Sequence, residues 1–321
     1  MLRMLAMLAA LSFGAATDAA HAQAPYPNRP IRVVIPFGPG GFADITMRLV
    51  GQQLSERAGV QVVIENRPSA GGVIAATAVT SAQPDGYTLF VLSSGIALSK
   101  SLLKSMPFDP VTAFTPVSTL ALFDLLLLVK ADSPMRTVKD ALDTARADPA
   151  KFNIGTINPG STQNVTAELL RSVTGIPVTI VPHRASAEVL TSLLRDDTQI
   201  GVESYAALKA PIDAAQVRAI AATGDKRSPM QPNVPTLKES GVAAEVVGWN
   251  SLVAPAGTPK DVVAILNRHV RAIVEGPDFQ KRMLELGGEP KASTPEELDA
   301  RLGSDIDMWA AVVKKAGLEP R

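Results

Sequence analysis

The sequence predicts a protein of the α/β class that is built from two lobes. Apolar, strand-like runs alternate with helical segments from Ile31 onward, and the same alternation begins again at Phe152. Such strand–helix–strand repeats are typical of parallel sheets covered by helices. The chain has 321 residues, of which 46% are hydrophobic. It is therefore long enough for two units that each bury a core.

Two extended apolar segments flank the second unit and are expected to join the lobes. They are residues 114–130 and 248–259, and each is expected to cross between the lobes as part of a two-strand hinge. Ligands of open parallel sheets bind outside the carboxyl ends of the strands. If both lobes turn these ends toward each other, turns from both halves line the cleft. This arrangement suits a protein that closes on its ligand.

The most informative segment is residues 31–44, IRVVIPFGPGGFAD. A β-branched apolar run stops at a Pro/Gly turn and an amphipathic segment follows, which predicts a strand, a tight turn and a helix N-terminus. The first amides of a helix have no intrahelical partner and the peptide dipoles add there, so such a junction attracts anions. The ligand is therefore predicted to be negatively charged.

The same segment also fits a dinucleotide-binding fingerprint. Gly38, Gly40 and Ala43 match G-x-G-x-x-A, and Glu65 stands about where such folds place the ligand of the ribose. Asp44 weighs against this alternative because it would place a fixed negative charge beside the pyrophosphate. The compartment indicated by the N-terminus also weighs against it, since NAD and ATP are scarce outside the cytoplasm.

Residues 1–22 have the features of a secretory signal. Arg3 supplies a positive charge, residues 5–16 are apolar, and Ala20-His21-Ala22 is an A-x-A cleavage site. Cleavage is expected after Ala22. The apolar stretch is too short to span a membrane and no cysteine follows the site to carry a lipid. We therefore expect a soluble protein outside the cytoplasm.

The composition excludes several function classes. Lysine plus arginine equals aspartate plus glutamate at 31 each, so no global field attracts nucleic acid or a membrane. The chain has no cysteine, which removes disulfides, thiol catalysis and thiolate metal sites. The mature histidines, His183 and His269, are isolated. Neither a metal nor a cofactor is expected.

Four turns are expected to present hydrogen-bond donors at the cleft. Hydroxyl groups and free backbone amides donate to carboxylates, and each such charge-assisted bond contributes roughly 1.5 to 3 kcal/mol. Capping of the following helix is the alternative role of each serine and threonine. The turns are Gly40-Gly41-Phe42-Ala43, Ser93-Ser94-Gly95, Gly160-Ser161-Thr162-Gln163 and Arg184-Ala185-Ser186.

Several other side chains have two or more interpretations. Arg184 pairs either with a ligand carboxylate or with a surface acid. Glu203 orients waters, accepts from a ligand amine or pairs with Arg184. Asp44 complements the helix dipole or contacts a ligand amino group. Phe42 and Trp249 are cleft walls or plain packing.

Catalysis finds little support in the sequence. There is no G-x-S-x-G elbow and no H-E-x-x-H motif. The enzyme alternative is a secreted hydrolase in which His183 is the base and Ser161 or Ser186 the nucleophile. A non-enzymatic binding protein is the expected class.

Eight segments, which span essentially the whole mature chain, carry a resemblance to a known family. They are YPNRPIRVVIPFGPGGFADI, VVIENRPSAGG, PDGYTLFVLSSG, FDPVTAFTPVSTL, NPGSTQN, VPHRASAEVLTSLL, KRSPMQPNVPTLKESG and LVAPAGTPKDVVAILN. Together they resemble the periplasmic substrate-binding proteins of tripartite tricarboxylate transporters, often called Bug receptors.

The resemblance implies a type II periplasmic-binding-protein fold that closes like a Venus flytrap. Lobe 1 would hold residues 23–120 and 252–321, and lobe 2 residues 121–251. The expected function is capture of a small organic carboxylate in the periplasm by a monomer, without a cofactor. The expected partners are the membrane subunits of a tripartite tricarboxylate transporter or a sensor protein, with no role for nucleic acid.

The resemblance also implies where the ligand binds. The Gly40–Asp44 turn would hold one carboxylate with nearby waters, the Gly160–Asn164 turn the distal part, and Ser93, Ser94 and Ser186 would complete the wall. The candidate ligand-binding residues are Phe37, Gly40, Gly41, Phe42, Ala43, Asp44, Ser93, Ser94, Gly160, Ser161, Thr162, Gln163, Arg184, Ser186 and Glu203.

This chain departs from the family pattern in the cleft. Ala43 stands where a serine or threonine is common, and Asn164 where a histidine is common. The run of residues 183–185 replaces tyrosine, lysine and glycine, and Glu203-Ser204 an aspartate–asparagine pair. The pocket is therefore expected to be reshaped, and no relative's ligand is transferred.

Overall fold

The structure, a computed structural model, describes residues 26–102 and 106–315. The predicted signal peptide, residues 1–22, lies outside the described residues. Within these ranges the chain forms ten strands and ten α-helices. The strands are β1 (Ile31–Ile35), β2 (Val62–Asn66), β3 (Thr88–Ser93), β4 (Phe114–Lys130), β5 (Asn153–Ile157), β6 (Thr179–His183), β7 (Ile200–Ser204), β8 (Val217–Ala222), β9 (Val247–Pro255) and β10 (Gly288–Pro290).

The ten α-helices connect or flank these strands. They are α1 (Phe42–Ala58), α2 (Val73–Thr80), α3 (Ser94–Leu102), α4 (Val138–Ala147), α5 (Thr162–Thr174), α6 (Ser186–Leu194), α7 (Tyr205–Asp213), α8 (Lys260–Val274), α9 (Pro277–Glu285) and α10 (Pro295–Lys315). Within the described ranges, none of them combines the length and the apolar character that a membrane span requires.

Two parallel blocks of strands lie at the two ends of one continuous strand path. The order along the path is β2-β1-β3-β9-β4-β7-β5-β6, and β10 and β8 pair with β4 beside it. β1 pairs in parallel with β2 and β3, and β5 pairs in parallel with β6 and β7. β4 and β9 are antiparallel to each other and join the two blocks. Both α/β units expected from the sequence are present.

The path changes from one block to the other within β4. Up to Asp124 this strand pairs with β9 and β10, and from Leu125 it pairs with β7 and β8. The Thr223 hydroxyl accepts from the Leu125 amide at 2.9 Å and donates to the Val246 carbonyl at 2.7 Å, so it ties the two crossing segments together. We propose that the lobes divide at these crossings, between Asp124 and Leu125 and beside Val246.

The N-termini of α4 and α10 are closed by reciprocal hydrogen bonds between side chains and backbone amides. The Thr137 hydroxyl accepts from the Asp140 amide, and the Asp140 carboxylate accepts from the Thr137 amide, which makes a complete capping box at the start of α4. Thr294 and Glu297 make the same reciprocal pair before α10. These caps satisfy helix amides that otherwise lack partners.

A partly buried acid, Asp124, lies at the point where β4 crosses between the blocks. Burial raises the pKa of Asp124 to about 6, and the nearby carboxylates of Asp225 and Glu289 act in the same direction. The side chain packs on Gly224, where an added Cβ would lie 2.5 Å from both carboxylate oxygens. Between the ordinary pKa of 3.8 and about 6 the folded state therefore holds a proton that the unfolded state has lost.

The stability of the protein is expected to fall as the pH rises through this window, because Asp124 ionises more easily in the unfolded state than in the folded state. Asp124→Asn should remove that penalty and raise the free energy of unfolding by about 1–2 kcal/mol near pH 8, with a smaller gain near pH 5. Urea unfolding at both pH values measures the difference. Asp299→Asn, at an exposed position of α10, is the control, and a loss of stability of equal size at both pH values would contradict the prediction.

Candidate functional site

The candidate site lies where the carboxyl ends of the parallel strands of both blocks meet. In lobe 1 the turns after β1, β2 and β3 lead into α1, α2 and α3, and in lobe 2 the turns after β5, β6 and β7 lead into α5, α6 and α7. Parallel strands place all their carboxyl ends at one edge, so each lobe presents a set of helix N-termini. The two sets face each other across the cleft.

The turn between β1 and α1 has the expected conformation. Gly40 has a φ of +81°, which a residue with a Cβ rarely adopts. Gly41 is the N-cap of α1. Its Cα faces the opposite lobe, since an added Cβ would lie 3.4 Å from the Ser186 hydroxyl. Phe37, Phe42 and Ala43 are buried around the turn. The N-terminus of α1 is therefore covered by lobe 2.

Asp44 braces this turn from the inside. Its carboxylate accepts from the Gly40 amide at 3.0 Å, from Arg48 Nε at 3.0 Å and from Asn66 Nδ2 at 3.0 Å. Asn66 Nδ2 also donates to the Phe37 carbonyl. Burial acts to raise the pKa of Asp44, but the hydrogen bonds from Arg48, Gly40 and Asn66 outweigh it and hold the pKa below its ordinary value. Both carboxylate oxygens are thus engaged within lobe 1.

The same bonds weigh against the dinucleotide alternative. The Gly40 amide, which would face a pyrophosphate, is taken by Asp44. Glu65, the candidate ligand of the ribose, is paired with Arg32 and with Arg67.

Among the described residues, three hydrogen bonds join the lobes directly. The Ser94 and Thr162 hydroxyls lie 2.9 Å apart, the Gly71 amide donates to the Pro159 carbonyl at 2.8 Å, and Asn158 Nδ2 donates to the Ser69 carbonyl at 2.7 Å. In each pair one residue belongs to lobe 1 and the other to lobe 2. The structure therefore shows the cleft closed.

Close backbone contacts across the cleft require glycine. A Cβ on Gly95 would lie 2.3 Å from the Thr162 amide nitrogen, and one on Gly38 would lie 2.5 Å from the Arg184 carbonyl oxygen. Gly160, with a φ of +83°, contacts Gly71 in the same way, since its Cβ would lie 2.8 Å from the Gly71 Cα. No larger residue fits these positions while the lobes are closed.

Some of the candidate hydroxyls are helix caps. The Ser161 hydroxyl accepts from the Asn164 amide at 3.0 Å and caps α5, and Ser93 accepts from the Ile96 amide at 3.4 Å. Ser94 also accepts from the Trp249 amide at 3.2 Å. The Ser186 hydroxyl is different, because it is buried and has no hydrogen-bond partner of standard geometry among the described residues.

Glu203 ends β7 and is 0% exposed. One of its oxygens, Oε1, accepts from Gln163 Nε2 at 2.7 Å and from the Ser204 amide at 2.7 Å. Burial raises its pKa, while the nearby Ser186 hydroxyl and the hydrogen bonds from Ser204 and Gln163 act in the opposite direction. Its pairing with Arg184, one of the expected alternatives, is not found.

Arg184 and His183 lie at the mouth of the cleft. The Arg184 side chain is exposed, and both residues line a cavity of about 250 Å³ together with Ser69, Ala70 and Asn158. Burial lowers the pKa of His183. Its Nε2 has no partner among the described residues, and Ser161 instead donates to the Ile157 carbonyl, so the geometry of a Ser–His catalytic pair is missing there.

Sequence reasoning missed several residues of the site. Ser69 and Asn158 form an inter-lobe bond, and their sequence signal is a Pro/Gly turn directly after a parallel strand. Asn66 and Arg48 hold Asp44 from outside the glycine turn. Asn250, opposite Ser93 in the sheet, is 1% exposed and its Nδ2 has no partner within the described part of the chain.

Two α/β lobes, a two-strand crossing and a closed cleft lined by helix N-termini define a periplasmic binding protein of the flytrap type. Residues 46–318 match the model of the family described as "Tripartite tricarboxylate transporter family receptor". The chain belongs to this family of periplasmic Bug receptors. The expected family and fold are confirmed, and the hydrolase alternative is set aside because the family consists of receptors.

The similarity extends over nearly the whole chain. Protein BugT of Bordetella pertussis is 29% identical over 320 residues, which cover 99% of this chain and 98% of BugT. The structure of R. palustris Rpa4515 with adipate has a TM-score of 0.88 at 34% identity and covers 92% of this chain and 100% of that one. MatC (Rpa3494) from Rhodopseudomonas palustris with bound malate has a TM-score of 0.85 at 28% identity and covers 90% of this chain and 100% of that one.

Gly95→Ala is expected to hold the lobes apart, because the new Cβ would meet the backbone of residues 160–162. The fold should keep its stability, since alanine favours α3 by about 0.5–1 kcal/mol. We expect a larger radius of gyration by small-angle scattering and hydrogen exchange at the Gly71 amide at least tenfold faster. Gly303→Ala in α10, where an added Cβ meets nothing within 4 Å, is the matched control. Unchanged scattering and exchange in Gly95→Ala would refute the expected effect.

Asp44→Asn is expected to lower the free energy of unfolding by about 2 kcal/mol at neutral pH, because the charge-assisted hydrogen bonds from Gly40, Arg48 and Asn66 are weakened or lost. The folded pKa of Asp44 lies below its ordinary 3.8, so its contribution is present above that value and disappears as the pH falls through the folded pKa. Urea unfolding near pH 7 and near pH 3 should therefore show a difference that shrinks at the lower pH. Asp143→Asn, which breaks an exposed pair with Lys139, is the control and should leave the stability nearly unchanged at both pH values.

Proposed function

We propose that this protein is a periplasmic receptor that encloses a small organic carboxylate between its two lobes, with neither a cofactor nor a chemical step. The observation that carries this function is the closed cleft, in which lobe 2 covers the N-terminus of α1 at Gly41. A helix N-terminus shielded from water is a strong site for a carboxylate, because its amides and dipole act in a low dielectric.

The proposed ligand contacts come from both lobes. The Gly40–Ala43 turn takes one carboxylate, while Asp44 holds that turn in place from behind. Phe37 and Phe42 close the apolar side. The remaining proposed ligand-binding residues are Ser93, Ser94, Gly160, Ser161, Thr162, Gln163, Ser186 and Glu203, which are buried at the cleft, and Arg184 at its mouth.

The ligands of two similar structures support the proposed class. Rpa4515 is described with adipate and MatC with malate, and both are small dicarboxylates. They differ in length and in hydroxyl content, so they support the class of ligand and leave the individual acid to experiment.

Closure of the lobes is the proposed signal to a membrane partner. A ligand that contacts both lobes stabilises the closed state by its differential affinity, and a partner that recognises this shape then reads the loading of the receptor. The proposed partners are the membrane subunits of a tripartite tricarboxylate transporter or a sensor protein. We further propose that the receptor acts as a monomer after cleavage behind Ala22.

The test is a thermal-shift and calorimetric screen of residues 23–321 against succinate, malate, adipate, citrate, benzoate and glutamate, with NAD as a control. Binding to the folded state raises the melting temperature by mass action. We expect a shift with at least one carboxylate and none with NAD. A shift with NAD alone, or with none of the acids after the protein has been unfolded and refolded to remove a retained ligand, would refute the proposal.

Two single substitutions within α6 test whether the ligand binds in the cleft. Ser186→Ala should weaken the affinity for the bound acid about tenfold, the equivalent of one lost hydrogen bond. Ser192→Ala is the matched control, because this hydroxyl lies on the same helix, is also buried and also lacks a partner among the described residues. Equal effects of the two substitutions would argue against the cleft as the site.

A further inference from the structure

The two oxygens of the buried Glu203 carboxyl group have very different surroundings. Oε1 accepts from Gln163 Nε2 at 2.7 Å, from the Ser204 amide at 2.7 Å and from the Ser204 hydroxyl at 3.2 Å. Oε2 is equally inaccessible to solvent but has no hydrogen-bond partner among the described residues. Three donors thus converge on one oxygen and leave the other free.

This asymmetry fits a neutral carboxylic acid. In the acid form one oxygen is a carbonyl that only accepts, and the other carries a proton that it donates. An ionised carboxylate needs partners at both oxygens when it is removed from water. Burial also raises the pKa of Glu203, which favours the acid form at higher pH than for an exposed glutamate.

No cation among the described residues forms an ion pair with Glu203. Leu126 is the neighbour of Glu203 in β4, and α5 and α6 present the uncharged Gln163 and Ser186. The charged groups on the surrounding elements are paired elsewhere or exposed. They are Glu188 on α6, which accepts from the Arg184 amide, the exposed Arg184 itself, and the Asp44–Arg48 pair on α1.

The free oxygen lies close to the proposed anion site. Ser186 lies beside the Glu203 carboxyl group, and its hydroxyl lies 3.4 Å from the position of a Cβ on Gly41, the N-cap of α1. Ser186 and Glu203 therefore connect the floor of lobe 2 to the helix N-terminus of lobe 1. Both carry a buried polar atom without a partner in the described part of the chain.

We propose that Glu203 acts as a neutral acid in the closed cleft, donates its Oε2 proton to an oxygen of the bound carboxylate, and takes this proton from solvent when the ligand is enclosed. This inference rests on the proposed carboxylate receptor function. Binding of one ligand anion then consumes one proton and breaks no covalent bond within the ligand. The preferred ligands are carboxylates without an ammonium group at this end, because an ammonium group would require the ionised form of Glu203.

The experiment measures binding by calorimetry between about pH 7 and pH 9, where aliphatic carboxylates are already fully ionised and His183 is neutral. The probes are adipate and malate, each in phosphate and in Tris, whose different ionisation enthalpies reveal the number of protons taken up. For wild-type protein we expect uptake that approaches one proton, and an affinity that weakens toward tenfold per pH unit as the free Glu203 ionises.

Glu203→Gln is the decisive variant, because an amide resembles the neutral acid. Its oxygen can accept the bonds from Gln163 and Ser204, and its NH₂ group can donate to the ligand. We expect Glu203→Gln to bind the acid without proton uptake and with an affinity that stays constant between about pH 7 and pH 9. Glu296→Gln, the same change at an exposed position of α10, should retain the wild-type uptake.

The outcomes separate the inference from the proposed function. If neither adipate nor malate binds and the wider panel of acids also fails, the receptor proposal itself is wrong. If an acid binds with a flat pH profile and without proton uptake, the role of Glu203 is wrong while the receptor function stands. Loss of binding in Glu203→Gln, with glutamate bound tightly by the wild type, would instead identify Glu203 as an ionised acceptor for a ligand cation.

Discussion

The closed cleft depends on backbone contacts that only glycine allows. Gly95 touches the backbone at Thr162, Gly38 touches the Arg184 carbonyl, and Gly160 lies against Gly71. A single Cβ at any of these positions would occupy the space of backbone atoms of the opposite lobe, which cannot move aside like the end of a flexible side chain. The distance between the lobes is therefore set by main-chain contact rather than by side-chain packing.

This close approach determines the electrostatics of the site. With lobe 2 seated on the N-terminus of α1, the helix dipole and the amides of the turn act without competition from bulk water. Asp44 then has to be neutralised from within its own lobe, and Arg48 and Asn66 provide the partners. Because the chain has no net charge, the proposed anion site depends on local dipoles and a few hydrogen bonds.

The crossing of β4 and β9 defines where opening can occur. The partners of β4 change between Asp124 and Leu125, and Thr223 bonds to both crossing segments at this point. Rotation about a few residues of this proposed hinge would separate the lobes and break the inter-lobe hydrogen bonds, without disrupting the pairing within either block. The partly buried Asp124, whose pKa is raised to about 6, lies at this junction.

Much of the architecture could be predicted from local sequence. The βαβ alternation and the glycine turn between β1 and the N-terminus of α1 agree with the structure. Two helices were not anticipated. α7 begins directly after β7 and contains Pro211, and α9 is short and polar, so neither has the periodic pattern that announces a helix.

The sequence by itself determined the two α/β units, their strand–turn–helix junctions and the preference of those junctions for an anion, because these follow from hydrogen-bonding and dipole rules within a few residues. Only the tertiary structure decided which junctions meet. The bond from Asn158 to Ser69 and the pair of Ser94 with Thr162 join residues far apart in the chain. The state of Glu203 was likewise decided by folding, because its surroundings come from α5, α6 and β4 together, and burial is a property of their assembly rather than of any local segment.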